Sequence, residues 1–137
     1  AEAHGAILLV ETNGYFADSN NMLNLMEAVA SAAVAVLWDI HHPYRYFKEP
    51  ADITYNRLKP YIQYIHMKDS IMTDEGKVEY RMMGHGDLPI IPAINMLKAD
   101  DFAGYLSVEW LKRWCHGLAE PGIVLPHYVD YIRKFLK

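Results

Sequence analysis

In Val36-Leu37-Trp38-Asp39-Ile40-His41-His42, an apolar run leads into a carboxylate and two imidazoles. Polar groups of this kind leave water only with a partner, and a metal ion is a partner that suits both. The pattern recurs three times. Ile7-Leu8-Leu9-Val10 is closed by Glu11, Tyr61-Ile62-Gln63-Tyr64-Ile65 by His66, and Tyr105-Leu106-Ser107-Val108 by Glu109. Taken singly, each closing residue has a plainer reading: a capping or ion-paired glutamate, or a satisfied core histidine. Taken together, Glu11, Asp39, His66 and Glu109 stand 28, 27 and 43 positions apart. One strand, one helix and two loops of an α/β barrel occupy about 25–30 residues. Parallel strands with that spacing carry all four groups to one common end.

The elements that must position them follow from local signals. The sequence predicts a strand over about Ala6 to Glu11. A helix capped by Asp18 or Ser19 follows, with Met22, Leu25, Met26 and Val29 toward the sheet. Val34 to Asp39 is nearly unbroken in its apolar character, as a parallel strand covered on both faces would be. Pro43 is expected to turn the chain into a loop carrying Tyr44, Arg45, Tyr46 and Phe47, aromatic enough to line a pocket. A short helix from Pro50 to Leu58 leads into a strand from Tyr61 to His66, after which Lys68 and Asp69 lie at the same end. The polar segment from Ser70 to Asp87 reads as a hairpin or lid with turns at Asp74-Glu75-Gly76 and Gly84-His85-Gly86-Asp87. A helix over Ile90 to Lys98, the strand closed by Glu109, and an amphipathic helix with Tyr128, Tyr131, Ile132, Phe135 and Leu136 on one face complete the chain. Adjacent strand residues point opposite ways, so alternation leaves His41 and His42 undecided.

Composition bounds the function. A chain of 137 residues, 52% hydrophobic and 22% charged, is expected to form one soluble globular domain over residues 1–137. A net charge of −4 and a pI near 5.9 offer no basic field for nucleic acid or an anionic membrane. With one cysteine, Cys115, and no signal or spanning segment, a cytoplasmic protein is expected.

Leu37-Trp38-Asp39-Ile40-His41-His42-Pro43, His66-Met67-Lys68-Asp69-Ser70, Gly84-His85-Gly86-Asp87-Leu88-Pro89 and Gly104-Tyr105-Leu106-Ser107-Val108-Glu109 together resemble the xylose-isomerase-like TIM-barrel superfamily. Within it they resemble the sugar phosphate isomerase/epimerase group. The resemblance runs from about Gly5 onward and implies an α/β fold of the parallel (β/α) TIM-barrel type, the C-terminal half with about four βα units. It implies that Glu11, Asp39, His66 and Glu109 hold one divalent metal and that His42 touches substrate. Three carboxylates and an imidazole are a hard, oxygen-rich set, so Mn²⁺ is the first choice, with Mg²⁺, Co²⁺ or Zn²⁺ also suited. It further implies that Glu11 and Glu109 are the acid/base pair on a sugar or sugar phosphate, with Lys68 and Trp110 as further substrate contacts.

Departures refine this. The related three-zinc endonucleases carry an Asp-x-His pair where this chain reads Val78-Glu79-Tyr80-Arg81, which argues against nuclease activity. His85 stands where a glutamate is expected, and Met72 where ketose 3-epimerases place an arginine. Half of an eight-stranded barrel leaves open edges, so a homo-oligomer or a separate N-terminal half is expected. A catalytically incomplete fragment and a sugar-binding module are the alternative readings.

Overall fold

The computed structural model describes residues 1–136. Four apolar runs form parallel strands: β1 (Leu8–Glu11), β2 (Val34–Asp39), β3 (Ile62–Met67) and, after a two-stranded hairpin of β4 (Asp69–Met72) and β5 (Val78–Arg81), β6 (Tyr105–Val108). The sheet order is β1-β2-β3-β6, with β1 and β6 at its edges. Parallel strands need crossovers. Helices α1 (Ser19–Val29), α2 (His41–Phe47), α3 (Ala51–Leu58) and α4 (Ile90–Ala99) lie in these connections, and α5 (Pro121–Arg133) follows the last strand. This is the parallel α/β arrangement of a TIM-type barrel.

Strand alternation gives the sheet two faces. Val36, Trp38, Ile65 and Met67 fall on one and share a buried core with Met22, Met26, Leu58 and Ile94. The Trp38 and Tyr55 rings pack with centroids 5.4 Å apart. Burying side chains of this size stabilises a fold by about 1.5–3 kcal/mol each. Leu37, Tyr64, His66 and Ser107 alternate to the opposite, half-buried face. Glu11 pairs with Leu37, Asp39 with His66, and His66 with Ser107, so the second face brings the strand-closing residues to one end.

Several boundaries differ from the sequence expectation. Asp18 caps α1 as expected, accepting from Asn20 N at 2.9 Å. Val29, however, is 42% exposed: it is the last residue of the helix, past the stretch the sheet covers. Pro43 does not open a loop. It is the third residue of α2, where its missing N–H belongs to the first turn and would have no helical partner anyway. Leu136 lies beyond α5 and is exposed, while Tyr128 and Ile132 are buried. The segment after His66 is less solvated than its polarity suggested, because Lys68, Asp69 and Ser70 are all buried.

Thr12 ties the end of β1 to the end of β2. Its buried hydroxyl donates to Asp39 O at 3.1 Å and accepts from Asp39 N at 2.8 Å. Thr12→Val keeps the shape but strands that buried N–H, so we expect a loss of about 1–3 kcal/mol in urea unfolding. An unchanged midpoint would show that another acceptor serves Asp39.

Candidate metal centre

Glu11, Asp39, His66 and Glu109 each present a ligand atom, and these atoms lie within 4.8 Å of one another. The backbone accounts for the convergence: Asp39 and His66 are register partners, and Glu109 N donates to Met67 O at 3.0 Å. Like charges at this separation repel by roughly 3 kcal/mol per pair at an effective dielectric of 20. The three carboxylates therefore need cations among them.

His66 Nδ1 donates to Glu11 Oε1 at 3.0 Å and lies 3.9 Å from Glu109 Oε2. That bond holds Glu11 down at about 2, against burial, and raises His66. Asp39 is fully buried, with Oδ1 accepting from His41 N at 2.8 Å. Its Oδ2 is ion-paired with Lys68 Nζ at 2.6 Å, yet no donor among the described residues is aligned with it as a hydrogen bond. Burial pushes Asp39 up to about 6, against the pull of Lys68. A buried carboxylate oxygen without an aligned donor, inside a set of three carboxylates and an imidazole, fits a hard divalent cation.

The two neighbouring histidines separate. His42 Nε2 is 3.0 Å from Lys68 Nζ and 3.5 Å from Asp39 Oδ2, so it faces the cluster. His41 is fully buried, 3.0 Å from Ser70 Oγ through Nε2, and stacked on Tyr80 with ring centroids 5.6 Å apart. Asp39, His41 and His42 also offer ligand atoms within 4.8 Å of one another. Lys68 is 2% exposed and pairs with Glu109 as well as Asp39. Burial works to lower its pKa, but the two carboxylates together hold it above the ordinary value. Trp110 is half-buried beside Glu109, its indole N–H donating to Ala119 O at 2.8 Å.

Tyr46, from the run expected to line a pocket, stacks on His42 with centroids 5.6 Å apart, while sequence reasoning missed Tyr80, which reaches across from the hairpin to His41. The aromatic run at residues 44–47 signalled the first, whereas nothing local marks Tyr80. Arg45 was also unassigned. It donates to Ser70 Oγ at 2.8 Å and pairs with Asp87, clamping the hairpin base to α2. Met72 stands 41% exposed at the end of β4, and His85 is exposed with its ring edge-on to His127. A separate cleft of about 710 Å³, lined by Leu97, Phe102, Tyr105, Tyr128 and Ile132, opens at the amino end of β6, away from the carboxylates.

Burial, then the charge of Lys68, holds His41 at about 3 and His42 at about 4; Arg45 also acts on His41, while Glu11 and Glu109 partly offset the shift of His42. Unfolded histidines titrate near 6.5. Between pH 6.5 and about 4 only the unfolded chain takes up these two protons, so stability falls as pH falls through that window. Asp39 takes up one proton when folded and opposes part of the loss. We expect the Tm of metal-free protein to drop from pH 7 to 4.5 and His41→Asn to flatten the profile. A Tm that is level in the parent protein would contradict this.

A parallel sheet carrying its polar cluster at the carboxyl ends of the strands defines an α/β-barrel protein with a strand-end site. The chain belongs to the xylose isomerase-like TIM-barrel family, whose pattern matches residues 1–134, as the motif resemblance indicated. No curated protein matches the sequence. Among solved structures it is similar to a xylose isomerase domain protein from Planctomyces limnophilus, with 17% identity over 98% of this chain and 46% of that one, at a TM-score of 0.74. It is also similar to a D-allulose 3-epimerase from Methylomonas sp., with 11% identity over 98% of this chain and 50% of that one (TM-score 0.78). A 3-keto-D-glucoside 4-epimerase from E. coli matches at 14% identity over 98% of this chain and 48% of its own (TM-score 0.73). The chain spans about half the length of these structures. Among the described residues no helix is long and apolar enough to cross a membrane.

Proposed function

We propose that this chain carries the proton-transfer end of a divalent-metal-dependent isomerase or epimerase acting on a sugar or sugar phosphate. The observation that supports this most directly is the convergence of the Glu11, Asp39, His66 and Glu109 ligand atoms within 4.8 Å at the strand ends. Mn²⁺ is the first candidate for these four donors, and the bound ion would polarise a substrate carbonyl and stabilise charge developing on oxygen. Glu11 removes a proton from the carbon next to the carbonyl through Oε2, which among the described residues meets only Asn13. Glu109, across the cluster, delivers a proton drawn from solvent to the opposite face, and Glu11 releases the proton it took to solvent. His42 and Lys68 hold substrate oxygens, and Trp110 packs on the sugar's apolar face. The similar structures include a sugar 3-epimerase and a 4-epimerase, which supports this chemistry. On the same reading, residues 1–137 form one cytoplasmic domain equivalent to the C-terminal half of a barrel, whose open β1 and β6 edges meet a second copy or an N-terminal half.

The test is solvent exchange. The protein is incubated in D₂O with Mn²⁺ and a panel of ketoses, ketose phosphates and inosose-type cyclitols, and deuterium is followed by NMR. Incorporation next to the carbonyl, with conversion to an epimer or isomer, is expected for at least one class. Unlabelled, unconverted substrates throughout the panel would reject the proposal.

A further inference from the structure

Lys68 pairs with two of the carboxylates that a divalent ion would need. It follows His66 by two residues, so strand alternation sends both side chains the same way, toward the cluster. Its ammonium is ion-paired with Asp39 Oδ2 at 2.6 Å, donates to Glu109 Oε2 in still closer contact, and lies 3.0 Å from His42 Nε2. Asp39 and Glu109 are two of the four metal-capable groups. With only 2% of Lys68 exposed, water contributes little to solvating its charge.

A divalent ion and an ammonium drawn to the same two carboxylates repel each other at hydrogen-bonding or coordination distance, so each weakens the other's hold. Removing either cation without replacement leaves the buried Asp39 carboxylate beside the half-buried Glu109 uncompensated, a destabilising change. We infer that Lys68 is a built-in counter-cation that closes the carboxylate cage in the metal-free protein, and that a divalent ion must expel its ammonium to bind. The inference rests on the metal reading above and adds an exchange to it: the ion enters as the lysine leaves, which frees Lys68 to face substrate.

Two measurements on the full chain test it. In the parent protein, acetic anhydride labelling followed by peptide mass spectrometry reads the accessibility of the Lys68 amine with and without Mn²⁺. Labelling of Lys68 is expected to rise at least fivefold when Mn²⁺ binds, with Lys77 as an exposed internal standard. In Lys68→Met, calorimetric titration is expected to show Mn²⁺ binding about tenfold tighter, while the metal-free Tm falls below that of the parent. Lys68→Gln serves if the methionine variant does not fold. If Mn²⁺ binds but Lys68 stays protected and its removal leaves affinity unchanged, the counter-cation role is wrong and the metal site stands. If neither parent nor variant binds Mn²⁺ at millimolar concentration, the metal reading and the counter-cation both fall.

Discussion

Glutamine in place of Glu109 is expected to weaken divalent-ion binding at least tenfold and to lower sugar turnover by about 10²–10⁴, the usual contribution of a positioned acid or base. The substitution is nearly isosteric, so β6 should keep its register and the backbone bond from residue 109 N to Met67 O. Lost instead are a ligand charge and a proton-carrying group. Lys68 would retain Asp39 but lose its closest partner, and His66 would keep Glu11 as its nearer carboxylate. Metal content by plasma mass spectrometry and deuterium exchange on the same sample separate the two effects. A variant that binds Mn²⁺ and exchanges protons like the parent would remove Glu109 from the site. Glu11→Gln should match it in turnover and, in addition, return His66 toward its ordinary pKa, because the hydrogen bond that His66 donates to Glu11 is the main cause of its rise.

Asp69→Ala is the substitution expected to damage the fold most among the polar residues near the site. The Asp69 side chain is an acceptor for four backbone N–H groups: Ser70 and Gly84 and Gly86 at 2.9 Å each, and Leu88 at 3.4 Å. It thereby ties the start of the hairpin to the turn that ends it. A Cβ at residue 86 would come within 2.0 Å of Asp69 Oδ1 and 2.4 Å of Ser70 O, so the turn can sit this close only with glycine there. Alanine at 69 leaves several partly or fully buried donors unpaired. A cost of about 3–5 kcal/mol follows from roughly 1–3 kcal/mol per stranded group, allowing for water reaching some of them. Urea unfolding should show the loss, and limited proteolysis should cut first between residues 73 and 87. A midpoint within experimental error of the parent would mean that the turn holds itself.

How much of this was legible in advance depends on how local each determinant is. The strands were readable because an apolar run ended by a polar residue is a local pattern, and all four strands of the sheet came within about two residues of those expected. The Asp18 cap and the Gly76 turn, with its left-handed φ of 74°, were readable for the same reason. Pro43 misled because proline both starts helices and breaks them, and only the chain direction after Ile40 decides which. His41 and His42 were open to the sequence because they begin a helix rather than continue the strand, so period-two alternation did not apply to them.

The sequence by itself determined which chemistry was available: three carboxylates and an imidazole at the ends of four parallel strands. It did so because strand ends and side-chain types are properties of short segments. Only the tertiary structure decided that Lys68 lies between Asp39 and Glu109, that Tyr80 comes over from the hairpin to cover His41, and that Asp69 gathers the turn at residues 84–88. Those contacts join positions 15 to 41 residues apart, and their distances are set by the stagger of neighbouring strands and the fold of the hairpin across them, which no local stretch of sequence encodes.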